Sequence, residues 1–270
     1  MTDLRIPQPR MVAPRVTPLL ALRDFNGVAK RNLLRSVRTP QMILYLVQPV
    51  MMLILFRYMF GGAIKVSGTT YVNFVVPAIF LLAGLIGAMT SAIGIADDLK
   101  SGMIDRFRSM PMSRSAFLAG RSLTDLIKSI ITLAVLVGLG VAVGFRFHAG
   151  VGPVLLGLLL VLAFGYAFSW VMAAIGLSSK DPESAQNAAT GPVFLLLFAS
   201  NAIVPAETLP GWLQGFARNQ PLGVTTSAVR ALFEGHDAAN YVWPSLGWSV
   251  GITAVFFAIS LALYQKATAH

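Results

Sequence analysis

The chain has 270 residues, of which 56% are hydrophobic and only 12% are charged. Soluble domains carry about 25% charged residues, so a soluble fold of this length could not cover its surface. The 17 Phe and 4 Trp exclude a disordered chain, and the lack of cysteine excludes disulfide scaffolds and thiolate metal sites. The composition therefore predicts an integral membrane protein.

The N-terminal part of the chain is polar and contains no predicted span. Residues 1–18 hold four prolines and predict a flexible arm, whereas residues 19–39 predict an amphipathic helix with one apolar and one basic face. Its basic residues are Arg23, Lys30, Arg31, Arg35 and Arg38. Such a helix lies in the headgroup plane, as a plain membrane anchor or with its basic face toward a partner. Pro40 ends it just before the first apolar run.

Six apolar stretches in residues 40–270 are about as long as a spanning helix of roughly 20 residues. They cover 42–60, 72–96, 122–145, 153–177, 187–204 and 243–264. The second is expected to stop at Asp97 and Asp98, and the fifth is the shortest. The fold class predicted is therefore an all-α membrane protein with six transmembrane helices.

The basic residues predict the orientation of these spans. Six spans place both termini on one side together with the 97–121 and 178–186 loops. That side holds sixteen of the 21 Lys and Arg residues, and the other side holds five. Because basic residues are enriched in cytoplasmic loops, both termini are predicted to be cytoplasmic.

The loop at residues 97–121 predicts a short amphipathic helix that projects into the cytoplasm. Its apolar residues are Leu99, Met103, Ile104 and Phe107. An exposed apolar face of this kind is a candidate docking site for a partner, although a solvated loop folded against the bilayer is the alternative.

The outer segment, residues 205–240, is too apolar for a free loop and too interrupted by Pro and Gly to span the membrane. Re-entrant half-helices between spans five and six fit this pattern, and an amphipathic stretch on the outer leaflet is the alternative. Glu207 and Arg218 could form an ion pair within it, or they could be solvated.

The spans themselves contain few polar residues. Candidates for a cargo path are Gln48, Asn73, Thr90, Asn187 and Asn201, although helix–helix hydrogen bonding also explains such residues. A route lined this way suits a hydrophobic or amphiphilic cargo. No catalytic group, metal-ligand spacing or G-x-x-x-x-G-K-[ST] run is found, so any ATP must be hydrolysed by another chain.

Three segments resemble type-2 ABC exporter permeases, most closely those of the daunorubicin-resistance type of actinobacteria. They are residues 94–126 (GIADDLKSGMIDRFRSMPMSRSAFLAGRSLTDL), residues 205–223 (PAETLPGWLQGFARNQPLG) and residues 28–41 (VAKRNLLRSVRTPQ). The resemblance implies that residues 19–39 form the connecting helix and that the loop after span two holds the helix that couples to the ATPase. The residues that match its motif are Asp97, Asp98, Gly102, Asp105, Arg106 and Arg108.

The same resemblance implies an outer gate in the outer segment, with Glu207, Trp212, Phe216 and Arg218 as its candidates. It also implies assembly with a second permease subunit, identical or paralogous, and with two copies of a P-loop ATPase. That partner would bind ATP and Mg²⁺, and this chain would bind no cofactor. The expected setting is the bacterial inner membrane, in contact with membrane lipids and without nucleic acid.

The function predicted is ATP-driven export of hydrophobic drugs or lipid-like products. Lipid or polysaccharide export is the close alternative. An ATP-independent secondary transporter or channel is disfavoured because no ionisable residue is expected in the middle of a span. A membrane subunit that only anchors a cytoplasmic partner is the remaining alternative.

Overall fold

The computed structural model describes residues 41–62, 64, 66, 68–101 and 114–267, and all regular elements in these ranges are helical. The α-helices are α1 (Gln41–Leu55), α2 (Tyr71–Lys100), α3 (Arg114–Ala142), α4 (Val151–Ser178), α5 (Pro182–Phe198), α6 (Gly211–Asn219), α7 (Pro221–Glu234) and α8 (Ala239–Ala267). A π-helical turn, Phe56–Phe60, continues α1, and a 3₁₀ turn, Ala206–Thr208, precedes α6. The all-α prediction is confirmed for this part of the chain.

Four helices are long and apolar enough to cross a bilayer. They are α2, the Ser122–Ala142 part of α3, α4 and α8 up to Lys266, each with a mean hydropathy of 2.0 to 2.3 over its most apolar stretch. The apolar helix Leu46–Phe60 and the 17-residue α5 are shorter. Four of the six predicted spans therefore meet both criteria, and the chain has the build of an integral membrane protein.

Helix α2 continues past Asp97 and Asp98, where the second predicted span stops. The helix continues to Lys100, where the Ser101 N–H donates to the Asp97 carbonyl. Asp97 is exposed, and a charged residue that leaves the apolar layer can remain helical because its backbone hydrogen bonds are unchanged. The acidic pair ends the apolar run but not the helix.

Helix α5 begins five residues before the predicted fifth span and ends six residues before its predicted end. A capping box fixes the start, because the Ser184 N–H donates to Asp181 Oδ1 at 2.8 Å and Pro182 occupies the first turn. These hydrogen bonds from Ser184 hold the pKa of the Asp181 carboxyl below its ordinary value. At the other end, the Ser200 hydroxyl donates to the Leu197 carbonyl and accepts from the Ala202 N–H, which replaces the helical pattern.

The centre of the bundle is the close pairing of α2 with α4. A Cβ added at Gly84 would lie 3.3 Å from Gly165 Cα, and one at Gly176 would lie 2.6 Å from the Ala92 carbonyl oxygen. Residue numbers rise together along both helices, so α2 and α4 run in the same direction. Small residues allow the two backbones to approach closely, as is common between helices in membranes.

Four aromatic rings close the bundle at the end where α2 begins. Phe80, Phe145, Phe147 and Phe233 form edge-to-face pairs with ring centroids 4.8 to 6.3 Å apart. Phe233 also lies over Gly157 of α4, where an added Cβ would come within 2.6 Å of its ring. This cluster joins α2, α4 and α7 to the loop after α3.

Candidate functional site

The outer segment folds into two short helices, and the second of them is enclosed by the bundle. Nine of the 14 residues of α7 are buried, and it packs against α2, α4 and α8. Its buried residues are Leu222, Gly223, Val224, Thr225, Thr226, Ala228, Val229, Leu232 and Phe233. This short, enclosed helix is part of the bundle and not a surface loop, and we call it the plug.

Helices α7 and α8 form an antiparallel hairpin, which fixes how far the plug reaches. Trp248 Nε1 donates to the Asn219 carbonyl at 3.1 Å, and the hydroxyls of Thr225 and Ser245 are hydrogen-bonded at 2.9 Å. Trp248 lies nine residues into α8, about 14 Å along its axis at a rise of roughly 1.5 Å per residue. The turn between α6 and α7 therefore lies about 14 Å from the start of α8, measured along the axis of α8.

The turn between α6 and α7 is tied to the end of α5. Gln220 caps α7 through Oε1, which accepts from the Leu222 N–H, while its Nε2 donates to the Leu196 carbonyl of α5 at 3.1 Å. Gly223 is required there, because an added Cβ would lie 1.9 Å from the Ala217 carbonyl oxygen. One glutamine thus satisfies the open ends of two helices.

Arg230 of α7 holds this plug to two neighbouring segments. Its guanidinium donates to the carbonyl oxygens of Phe74, Asn201 and Ala202 at 2.6 to 2.9 Å. The charge also lies 3.5 Å from the centre of the Phe74 ring, a favourable cation–π geometry. No carboxylate in the described part of the chain lies within salt-bridge distance, so neutral oxygens and a ring stabilise this cation. Arg230 therefore joins α7 to α2 and to the non-helical stretch after α5.

Two further arginines at this end of the bundle bind the last carbonyls of α3 and the turn that follows it. Arg57 Nε donates to the Val143 carbonyl at 3.0 Å, and Arg146 Nη1 donates to the Val141 carbonyl at 2.7 Å. A cation at a helix C-terminus is stabilised by the helix dipole as well as by the hydrogen bond. Both side chains act as caps of α3.

Hydrogen bonds connect the end of α7 to the loop before α2 and to the loop before α4. Glu234, at the end of α7, accepts from the Thr69 hydroxyl at 2.9 Å and contacts His148 Nδ1 at 2.8 Å. The N–H groups of His148 and Ala149 both donate to the Phe233 carbonyl. The loop before α2 and the loop before α4 are therefore both attached to the end of α7.

The four predicted gate residues lie on or near α6 and face outward. Glu207 Oε1 and Arg218 Nη2 are 2.8 Å apart, so the structure places these two residues in contact. Trp212 is 82% exposed and Phe216 is 49% exposed. A gate role for these residues stays a prediction, and the enclosed contacts in this region are made by Gln220, Gly223 and Arg230 instead.

The five predicted cargo-path residues lie apart from one another. Asn73 is buried, and its Oδ1 accepts from the Arg146 N–H, while Asn201 is buried and donates to the Ser227 hydroxyl. The other three residues are exposed, namely Gln48, Thr90 and Asn187. Their role in a cargo path stays a prediction.

Three of the predicted coupling residues are described. Asp97 is exposed, Asp98 is partly buried, and Leu99 packs against a cluster that contains Ile95 and Tyr264. Leu99 therefore contacts the bundle itself. The others lie outside the described residues, namely Gly102, Met103, Ile104, Asp105, Arg106, Phe107 and Arg108 and the connecting-helix residues Arg23, Lys30, Arg31, Arg35 and Arg38.

Sequence reasoning missed Gln220 and Arg230 as parts of the outer segment that bind other elements. The available signal was an arginine and a glutamine inside a segment otherwise too apolar to be a loop. Polar side chains placed in apolar surroundings normally have a hydrogen-bonding role. Their acceptors lie 24 to 156 residues away, which no local pattern indicates.

Comparison with known proteins identifies the family. Residues 23–233 match the family model described as ABC-2 type transporter. Over 230 residues the chain is 33% identical to the daunorubicin resistance ABC transporter permease protein DrrB1 of Streptomyces coeruleorubidus, which covers 85% of this chain and 81% of that protein. It is 28% identical over 227 residues to the probable doxorubicin resistance ABC transporter permease protein DrrC of Mycobacterium tuberculosis, with 83% and 82% covered. The putative transport permease ycf38 of Cyanophora paradoxa is 24% identical over 273 residues, with 93% and 91% covered. With its helices, apolar spans and this match over most of its length, the chain belongs to the ABC-2 type transporter family.

Proposed function

We propose that this chain is the permease subunit of an ATP-driven exporter that moves hydrophobic or amphiphilic drugs out of a bacterial cell. It would work with two copies of a separate P-loop ATPase and with a second permease subunit, identical or paralogous. The relatives named for daunorubicin and doxorubicin resistance support the drug class. ATP and Mg²⁺ would be bound by the ATPase, and this chain would hydrolyse nothing.

The observation that carries the proposal is the plug formed by α7. If α1 and α5 cross the inner membrane with the four longer helices, the α6–α7 turn lies about 14 Å below the outer end of α8, at a depth that roughly matches the upper part of the hydrocarbon layer. Backbone that breaks inside a membrane is tolerated where protein encloses it, and α7 is enclosed. This supports a re-entrant outer segment that closes the outer end of the permease.

The other end of the chain would receive the motion of the ATPase. Residues 19–39 and 97–121 carry ten of the 21 Lys and Arg residues, which supports a cytoplasmic location of that side and of both termini. Closure of the ATPases would tilt α2 and α3, and α7 would leave its place between α2, α4 and α8. An amphiphilic molecule could then pass through a route with few polar groups.

The test is purification of the tagged chain from cells that produce it, with identification of bound proteins by mass spectrometry. The purified complex is then placed in liposomes, and ATP-dependent uptake of fluorescent daunorubicin is measured with and without Mg²⁺. We expect a P-loop ATPase to co-purify and uptake to require Mg²⁺ and ATP.

Other outcomes would point to the alternatives. Uptake that a protonophore abolishes and ATP does not support would indicate a secondary transporter. Translocation of labelled lipid or polysaccharide without that of daunorubicin would indicate the alternative cargo. An ATPase that co-purifies with no transport of any of these probes would indicate an anchoring subunit.

A further inference from the structure

Helix α3 contacts the bundle closely near its outer end. A Cβ added at Gly140 of α3 would lie 3.4 Å from Val76 Cγ1 of α2. Phe145, three residues after the end of α3, packs edge-to-face against Phe80 of α2. Most of the remaining surface of α3 is open, since only 22% of its most apolar stretch is buried, against 78% for α2. The N-terminal half of α3 is therefore held to the bundle by few contacts.

A gap interrupts the packing at the middle of α3. A crevice separates it from α2 and α4, lined by Phe80, Ala83, Gly84, Ser129, Thr132, Leu133, Val161, Leu162 and Gly165. The Thr132 hydroxyl in its wall is buried and has no hydrogen-bond partner in the described part of the chain. At this level the packing of α3 against α2 leaves a small gap, although Leu133 and Leu136 of α3 are buried.

A polar contact joins the two helices below the crevice. Ser91 of α2 is 2% exposed, and its hydroxyl donates to Asp125 Oδ2 of α3 at 2.5 Å. Asp125 Oδ1 lies 3.9 Å from Lys128 Nζ on the same helix, and its side chain is only 14% exposed. A hydrogen bond to a carboxylate is stronger than one between neutral groups, and water competes little with a buried one.

This contact lies between the crevice and the loop that joins α2 and α3. Ser91 is nine residues before the end of α2, about 14 Å along its axis, and Asp125 is 11 residues after the start of α3, about 17 Å along its axis. The next residue of α2, Ala92, lies against Gly176 of α4. A displacement of the loop therefore reaches α3, α2 and α4 at one level of the bundle.

We propose that Asp125 is a positioning residue that locks α3 to α2 through Ser91, so that the two helices move as one lever when the loop between them is displaced. The inference rests on the proposed function, in which an ATPase displaces that loop. An ionisable residue within an apolar span normally has a functional partner, and here the partner is a hydroxyl on the neighbouring helix. Without this contact, displacement of the loop would move α2 without moving the N-terminal half of α3.

The first experiment compares variants in the full complex with its ATPase, reconstituted in liposomes with daunorubicin as the probe. Asp125→Ala and Ser91→Ala should assemble and hydrolyse ATP but transport at least about fivefold less daunorubicin per ATP, because the lock is lost. The double variant should be no worse than either single one, since both remove the same contact. Asp125→Asn should stay within about twofold of the parent, because its amide oxygen still accepts from Ser91.

Ser178→Ala is the matched control, since its hydroxyl donates to the Ala174 carbonyl of its own helix and joins no two helices. It should leave the transport ratio unchanged. A transport ratio in Asp125→Ala equal to that of the parent complex overturns the lock and leaves the proposed function standing. Absence of a co-purified ATPase from the parent complex overturns the proposed function itself.

A second experiment covers the case in which Asp125→Ala does not fold. The chain has no cysteine, so Ser91→Cys with Asp125→Cys gives one pair of thiols, which copper phenanthroline oxidises to a disulfide or a short bismaleimide bridges. The linked form should transport as the parent does, and the unlinked form should be uncoupled. If the link abolishes transport, α2 and α3 must move relative to one another, and the proposal is wrong.

Discussion

Arg230 shows what the arginines do at the end of the bundle where α2 begins. The charge count of the sequence treats Arg57, Arg146, Arg218 and Arg230 alike, as basic residues left on the minor side. In the structure, three of them donate to carbonyl oxygens at helix ends or in non-helical backbone, and Arg218 is paired with Glu207. Each of these side chains has a partner inside the protein, and of the four only Arg218 is paired with an opposite charge in the described part of the chain.

Replacement of Arg230 by Lys should destabilise the protein, and replacement by Ala should destabilise it more. The ammonium of Lys cannot reach all three carbonyls that the planar guanidinium serves. Because a buried polar group left without a partner costs about 1–3 kcal/mol, Arg230→Ala should lower the free energy of unfolding by about 2–4 kcal/mol. Thermal unfolding of the detergent-purified protein measures the order of the three variants.

The control for Arg230 is Arg218, which is of the same residue type and lies nearby. Arg218 is 52% exposed and its partner Glu207 is 71% exposed. Since an exposed ion pair contributes only about 0–1 kcal/mol, Arg218→Ala should shift unfolding by no more than that. Equal effects of Arg218→Ala and Arg230→Ala would contradict the role given to Arg230.

Side-chain contacts could be predicted from the sequence where both partners lie close together in the chain. The contact between Glu207 and Arg218 was expected as one option and is formed in the structure, since the two residues are 11 apart within one compact segment. The acceptors of Arg230 are 28 to 156 residues away and are backbone atoms, which carry no sequence signature. Gly223 was treated as a helix breaker, yet its lack of a side chain is needed for contact with Ala217.

Among the elements, the pairing of α2 with α4 depends on glycines that the sequence does not distinguish from the others. Replacement of Gly176 by Ala should destabilise the bundle, because its Cβ would lie 2.6 Å from the Ala92 carbonyl oxygen and 3.0 Å from Ala92 Cα. Backbone atoms cannot move aside cheaply, and overpacking of this kind costs about 1–3 kcal/mol. Thermal unfolding in detergent measures it.

Gly138 in α3 is the matched control for Gly176. An added Cβ there would meet nothing within 4 Å, so Gly138→Ala should be neutral or stabilise the protein by about 0.5–1 kcal/mol through helix propensity. If Gly176→Ala unfolds at the temperature of Gly138→Ala, α2 and α4 are farther apart than described.

The start of α5 depends on a carboxylate, and this gives a pH dependence. Asp181→Ala should fray the first turn of α5, whereas Asp181→Ser should keep the cap, because a hydroxyl also accepts from the Ser184 N–H. Hydrogen exchange of residues 182–186 by mass spectrometry at neutral pH measures the difference. The sequence placed this helix five residues too late because the prediction followed hydropathy, while the capping box lies in polar residues.

The sign of the pH effect follows from the lowered pKa of Asp181. A carboxyl that is more acidic in the folded chain than in the unfolded one stabilises the fold above its unfolded pKa. That contribution is lost as the pH falls through the lower, folded value. Acid should therefore loosen the start of α5 in the parent protein and not in Asp181→Ser, and loosening in both variants would assign the effect to another group.

At the scale of the whole molecule, hydropathy predicted where apolar layers lie but not where helices break. Spans four and six agree with α4 and α8 to within a few residues. The backbone of a long uncharged run in a membrane must satisfy its hydrogen bonds internally, which a helix does. The end of α5 depends on hydrogen bonds of Ser200 to neighbouring residues, and the turn into α7 depends on Gln220, whose partner Leu196 lies in α5. Hydropathy reports apolar length, whereas both breaks are stabilised by polar side chains.

The orientation of the whole chain can be tested with single cysteines, because the parent chain has none. The excess of basic residues in the N-terminal segment and in residues 97–121 predicts that this side, with the 178–186 loop, is cytoplasmic and that the outer segment is not. A membrane-impermeant maleimide should therefore label Thr208→Cys and Asp237→Cys in intact cells, and Ser101→Cys and Lys180→Cys only after permeabilisation. All four positions are exposed, while the fully buried Thr226→Cys should resist the reagent in both conditions. Labelling of positions 101 and 208 from the same side would mean that α3, α4 and α5 do not cross the membrane an odd number of times, and the six-span topology would fail.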